Sequence, residues 1–365
     1  MSTIVPLADD HLPAVAALFQ RTFRDGRRPA PPNLAADLRA LFLDHPECDP
    51  AIPSRVWLKA DGSAGGFIGA VPLRMRFRGR TIRAAVPSSL MVEAPERHPL
   101  AGARLVRAFL SGPQDLSISE PINERAEGLW RKLGGEVPVA ESMEWLKVLK
   151  PTGLALALAA DRYPMLFGLR GAAALADRLA LKLAGGRLAL AAPDRRIARD
   201  AEVSDEDLLA FLAGDAADYA LHPDWAPPTF GWMLAHAAEN RSRGRLAKRM
   251  VFGPNGAPLG AYVIQGAPGR IAFVLHLQAR RDTAGAVLDA LFAHAAEAGC
   301  VAVKGRTQER LIGPLLARSA ALFRRHGMMV HSRDRELLAA IHAGEAATGG
   351  LAGESWMRPV ADRAR

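Results

Sequence analysis

Residues 88–135 pass through strand, turn, helix, strand and helix in quick succession, and that alternation restricts the folds open to the chain. Leu90, Met91 and Val92 close a β-prone run. Leu105, Val106, Phe109 and Leu110 then recur at helical spacing, residues 116–119 alternate as a strand, and a second helix runs from Asn123 past Trp130 to Gly134-Gly135. The turn between the first strand and helix favours an anion. Pro99 suits the first helical position, so the amides of Leu100, Ala101, Gly102 and Ala103 come next, without intrahelical acceptors. Small side chains there admit a close ligand, Arg97 adds a fixed positive charge, and His98 abuts the turn.

The hexad Arg97-His98-Pro99-Leu100-Ala101-Gly102 resembles the Arg/Gln-x-x-Gly-x-Gly/Ala turn of the GNAT superfamily of acyl-CoA N-acyltransferases, with Leu100 in place of the first glycine. Downstream, Asn123-x-x-Ala126-x-x-Leu129-Trp130-x-x-x-Gly134-Gly135 resembles the same family's Asn-x-x-Ala-x-x-Leu-Tyr-x-x-x-Gly-Phe helix. The resemblance implies a cofactor site for acetyl-CoA or another acyl-CoA made by Met91, Val92, Arg97, His98, Leu100, Ala101, Gly102, Ala103, Asn123, Ala126 and Trp130, with no metal. It assigns Asn123 to the pantetheine arm and Ala126 to passage of the thioester. The family's tyrosine often protonates the departing thiolate; an indole is not a useful acid, so Trp130 is read either as a cofactor contact or as a core aromatic.

Upstream elements keep the family's order. Residues 3–7 form a first strand and residues 12–23 and 34–43 helices. Residues 55–59 and 66–76 form a hairpin about Asp61-Gly62, and a turn at Arg78-Gly79-Arg80 leads through residues 81–85 into the strand 86–92. The expected fold is therefore α+β, with two tandem GNAT-like domains, each a mixed, mostly antiparallel sheet flanked by helices. The domains are residues 1–150, which bind acyl-CoA, a helical linker 151–200, and a diverged copy 201–365.

Acyl transfer to an amine needs a proton acceptor near the place where the two central strands part. Glu93, directly after the strand 86–92, is the first candidate and Glu120, after the strand 116–119, the second. Glu141 and Glu144 lie near the predicted last strand of this copy, where the family lines its acceptor pocket. The resemblance gives the oxyanion to a strand amide, that of Val92 or its neighbour.

The second half repeats the plan. Residues 248–252 and 259–265 make a hairpin about Pro254-Asn255-Gly256, followed by a strand 270–278, a helix 283–298, a strand 300–305, a helix 311–326 and a strand 328–331. Its turn, Gln278-Ala279-Arg280-Arg281-Asp282-Thr283, lacks the phosphate pattern, and Asp282 or Thr283 is expected to cap the helix itself. One cofactor site, in the first half, follows.

The linker is basic and amphipathic, with a break at Gly185-Gly186. Packing against the domains is one reading and contact with a membrane surface another. Arg170, Asp177, Arg178 and Lys182 interrupt the apolar run before it can span a bilayer. A formal charge of +9 favours polyanions generally, yet the chain has no zinc-finger spacing or RNA-binding aromatic signature, and nucleic acid is not expected as a partner. Asp224-Trp225 and Phe230-Gly231-Trp232 line a pocket or fill a core. Cys48 and Cys300, one per half, exclude a disulfide framework, and the polar N-terminus carries no leader pattern, so a cytoplasmic location is the expectation.

The reaction expected is direct transfer of acetyl or another short acyl group from acyl-CoA to a small-molecule or peptide amine. A catalytically silent tandem GNAT protein and an aminoacyl-tRNA-dependent transferase of related fold are the alternatives.

Overall fold

The computed structural model describes residues 2–183, 197–215 and 218–357. Along the chain come β1 (Thr3–Pro6), α1 (Leu12–Phe23), α2 (Pro32–Phe42), β2 (Arg55–Leu58), β3 (Ala64–Phe77), β4 (Arg80–Val92), α3 (Ala101–Leu110), β5 (Leu116–Ile122) and α4 (Glu124–Lys132). Next are β6 (Glu144–Val148), α5 (Pro151–Arg162), α6 (Arg170–Leu183), β7 (Arg199–Glu202), α7 (Asp205–Asp215), β8 (Leu221–Pro223) and α8 (Pro227–Ala238). The chain continues through β9 (Arg245–Phe252), β10 (Pro258–Gly266), β11 (Ile271–Ala279), α9 (Ala284–Glu297), β12 (Ala302–Arg306), α10 (Glu309–Ala317), β13 (Ala321–Phe323), β14 (Gly327–Ser332) and α11 (Arg335–His342).

Two compact units result. The first comprises Met1–Val139, Tyr219–Ala237 and His326–Arg365, and the second Ala140–Asp218 and Ala238–Arg325. In the first, the strand order is β1-β2-β3-β4-β5-β14, with β8 beside β3; β4 and β5 are parallel and the other pairs antiparallel. In the second, the order is β13-β6-β12-β11-β10-β9-β7, again with one parallel pair, β11 and β12. The long β3–β4 hairpin turns at Arg78 (φ 48°) and Gly79 (φ 79°), the left-handed pair that matches strand twist.

These units do not follow a division at residues 150 and 200, because three strands, β6, β14 and the short β8, lie in the sheet of the other half. β6 follows the first set of elements but pairs with β12 and β13 in the second unit. There Trp145 is fully buried, packs edge-on against Phe292 at 5.9 Å, and donates its indole N–H to the Arg306 carbonyl at 2.9 Å. Conversely β14 pairs with β5 in the first unit, burying Met328, Met329 and Val330 completely. Each such side chain contributes roughly 1.5–3 kcal/mol by leaving water, which fixes both exchanges.

Other differences are local. The helix expected over 311–326 ends at Ala317, and Ser319 (φ 54°) reverses the chain into β13. The linker carries α5, a short 3-10 turn at Pro164–Leu169, and α6; Gly185-Gly186 lies outside the described residues. In α8, Phe230 is core and tilts against Trp225 at 5.5 Å.

Candidate active site

The first unit has a gap in its sheet. β4 and β5 pair only at Ala84–Leu116 and Ala85–Ser117, after which both strands continue without pairing. A bulge helps to part them. Gly69 aligns with Ser88 but Phe67 with Met91, so β4 carries one extra residue there, and Ser89 takes a positive φ of 57°. Between the diverging strands and the starts of α3 and α4 lies a cavity of about 570 Å3, within the range of small-molecule sites.

Of the residues expected to hold a cofactor, Met91, Val92, His98, Gly102, Ala103, Asn123, Ala126 and Trp130 line this cavity. Arg97, Leu100 and Ala101 do not; Arg97 and Leu100 are exposed to solvent and Ala101 is buried in the core. The helix also opens later than Pro99 suggested. Ala94 (φ 43°) turns the chain, its carbonyl accepts the amides of Arg97 and His98, and α3 begins at Ala101 with Leu100 as N-cap. No side chain caps it. The Ala101 amide is taken by the His98 carbonyl at 3.1 Å, leaving the N–H groups of Gly102 and Ala103, residues of the cavity wall, as orphan donors of the helix start. A Cβ on Gly102 would meet Val92 and Leu129 only at ordinary contact distances, so packing does not demand glycine there.

Asn123 is the N-cap of α4. Its side-chain carbonyl accepts the Ala126 amide at 2.9 Å, so the NH2 end is what it can offer a ligand. Trp130 is buried, tilts against Phe109 at 6.4 Å and belongs to the core cluster while also forming cavity wall. His98 stands edge-on to Trp57 at 4.9 Å.

The carboxylates fall into three situations. Glu93 is not on the cavity wall; it binds Lys59 and Arg21, each at 2.9 Å, and the hydrogen bond from Lys59 holds its carboxyl below the ordinary value. Glu120 is buried at the end of β5, its carbonyl accepting the Glu354 amide at 3.4 Å. A Cβ on Gly353 would lie 2.9 Å from its Oε2, so a side chain there would press on the carboxylate. Glu141 and Glu144 belong to the second unit, where Glu144 pairs with Lys304 at 3.0 Å. Glu354 was missed by sequence reasoning: it is buried and lines the cavity. So do Ser88 and Ser89, whose hydroxyls lie 3.2 Å apart.

The second unit's counterpart is built alike but bridged by a side chain. β11 and β12 pair at Ile271–Phe273 and then part, but Gln308 donates its amide to the Leu277 carbonyl at 3.1 Å. Gln278 donates to Leu212 and Asp215 at 3.2 and 2.9 Å. Thr283 stands at the N-cap of α9 without capping it. Its helical backbone (φ −107°, ψ −3°) points the hydroxyl backwards, to the carbonyls of Leu259 and Arg280. Asp282 sits at φ 65°. The helix opens Ala284-Gly285-Ala286, the same triplet as Ala101-Gly102-Ala103, a repeat visible in the sequence. Over it lies Arg318, whose guanidinium would be 2.7 Å from a Cβ on Gly285 and binds Asp289 through two bonds of 2.7 Å.

No family model matches the chain, and no curated protein matches it by sequence. Solved structures do. A GCN5-related N-acetyltransferase from Anabaena variabilis superposes with a TM-score of 0.58 at 11% identity, over 92% of this chain and 74% of its own. One from Kribbella flavida gives 0.54 at 13%, over 92% and 72%. The N-myristoyltransferase of Saccharomyces cerevisiae, solved with bound myristoyl-CoA, gives 0.50 at 10%, over 91% and 79%. The chain has the tandem GNAT fold. In a GNAT sheet of this kind, the parted parallel strands of the first unit border a cavity, and those of the second are bridged by Gln308 with Arg318 over the helix start.

Proposed function

We propose that the protein is an acyl-CoA-dependent acyltransferase whose donor occupies the cavity of the first unit and whose acceptor is an amine. The observation that carries this reading is the coincidence of a cavity of about 570 Å3, opened by β4 and β5, with the uncapped start of α3 on its wall. The GNAT fold, shared with acyltransferases, supports it.

Each residue has a task in this reading. The amides of Gly102 and Ala103 hold the diphosphate of acetyl-CoA or another acyl-CoA, which supplies the activated acyl group. The Asn123 NH2 is available to the pantetheine arm, beside Ala126. The Glu93 amide bonds back to Gly65 on β3 at 2.8 Å, so strand alternation turns the Val92 N–H toward the parted side, where it can meet a developing oxyanion. Glu354, on the cavity wall, takes the proton of the attacking amine, with Glu120 behind it. Glu93, already neutralised by Lys59 and Arg21, serves the fold.

Titration of acetyl-CoA by calorimetry tests the donor site. Wild type should bind one equivalent, Gly102→Asp should weaken binding about 100-fold or more by placing a carboxylate among the donor amides, and Gly285→Asp should leave it unchanged. Failure of wild type to bind removes the reading. For the proton acceptor, Glu354→Gln should retain acetyl-CoA affinity but lose about 10²–10⁴-fold in CoA release with a panel of amines, while Glu93→Gln keeps its rate. Binding without turnover in wild type would favour a silent GNAT protein.

A further inference from the structure

The hairpin of α5 and α6 leaves several large apolar side chains in solvent. At its base Asp177 is buried and accepts the amides of Thr152 and Gly153 at 2.8 and 2.9 Å, so the acid of α6 caps the start of α5 and locks the pair. On the outer side Leu158, Tyr163, Met165, Leu169, Leu175 and Leu179 are 53–86% exposed, a concentration found in no other stretch among the described residues. Exposed arginines are interleaved with them: Arg162 lies one turn after Leu158 on α5, Arg178 lies beside Leu175 and Leu179 on α6, and Arg170 stands at the start of α6 over the Phe167 ring. Two acids, Asp161 and Asp177, occur in 151–183 against Arg162, Arg170, Arg178 and Lys182, and Asp177 is consumed by the cap.

We propose that this face docks the protein on an anionic lipid surface, the helices lying in the interface with leucines toward the acyl chains and arginines among the phosphates. Apolar side chains ringed by cations are what such a surface binds, through buried apolar area plus attraction to acidic headgroups. Among the described residues no helix is long and apolar enough to cross a membrane, so the contact is peripheral. Charge selects lipid over a second copy of the chain, because a two-fold pairing of this face would set arginines against arginines.

Co-sedimentation of the full-length protein with vesicles tests this. Binding is expected to phosphatidylcholine vesicles containing phosphatidylglycerol, to fall with added salt, and to be absent with phosphatidylcholine alone. Arg162→Ala and Arg178→Ala should each weaken it about fivefold, the effect of one basic residue near such a surface. The pair Leu175→Ser and Leu179→Ser should weaken it at unchanged charge. Arg324→Ala with Arg325→Ala, which removes as much charge elsewhere as Arg162→Ala combined with Arg178→Ala, should not. All the substitutions are at exposed positions, and an unchanged thermal melt verifies the fold. The proposal is overturned if wild type ignores the anionic vesicles, if the Arg324 and Arg325 control loses as much as the Arg162 and Arg178 pair, or if the serine variants bind undiminished. Self-association in sedimentation velocity that the serine variants abolish would also overturn it, assigning the face to a second copy.

Discussion

Two wedges of the same construction have opposite contents. In the first unit β4 and β5 part around a cavity; in the second, β11 and β12 part and the side-chain amide of Gln308 bonds across to β11. Both following helices open Ala-Gly-Ala, but α3 leaves Gly102 on the cavity wall while Arg318 lies over Gly285, tied to Asp289. A glycine at a helix start therefore does not define an anion site. What decides is whether a neighbouring side chain has already taken the space and the field in front of the amides.

The units should also differ in acid tolerance, and this is the largest effect expected. Burial holds His45 and His236 in the first unit at about 4, with His236 adding to the effect on His45, and burial does the same to His276 in the second. A histidine depressed from 6.5 is neutral when folded and protonated when unfolded across that window, so stability falls as pH drops from 6.5 to about 4 and levels off below. Each of these three contributes up to about 3 kcal/mol. Burial also lowers His331 in the first unit and His294 in the second, so the first unit, with three such histidines against two, should lose more than the second. Hydrogen exchange followed unit by unit at pH 7 and pH 5 measures it. His236→Phe, which keeps a ring stacked on Trp232, should remove a large part of the first unit's loss. Equal losses in both units would break the comparison.

The arginine cover of the second wedge gives the next effect. Arg318→Ala strands a carboxylate, Asp289, that is 9% exposed, and should cost about 3 kcal/mol in denaturant midpoint analysis. Arg318→Ala with Asp289→Ala should recover much of that. If the single variant costs nothing, the pair is not what closes the second wedge.

Much of the first wedge was legible in the sequence because its signals are local. The alternation of 116–119, the helical spacing of Leu105, Val106, Phe109 and Leu110, and Asn123 at the head of α4 each need only nearby residues. The exchange of β6 and β14 was not legible. A strand of five or six residues states that it wants a sheet, not which of two similar sheets, and the burial of Trp145 in one and Met329 in the other decides it. Glu354 was hidden for the same reason: it reaches the cavity from the far end of the chain, through a turn in which Gly353 makes room for Glu120. Glu93 looked well placed by its position after β4, yet Lys59 and Arg21, 34 and 72 residues away, had already claimed it.

The smallest effect tests which side chain closes the second wedge. Gln308→Ala removes the donor to the Leu277 carbonyl and should cost about 1 kcal/mol, the net worth of one such bond. Arg318 would still cover Gly285, so acetyl-CoA binding should stay at one equivalent per chain. A second equivalent in the same titration would mean that the Gln308 amide alone had been closing the gap. The difference between the wedges would then rest on volume rather than on charge at the helix start, and Gln308→Ala with Gly285→Asp would lose that added site while leaving the first intact.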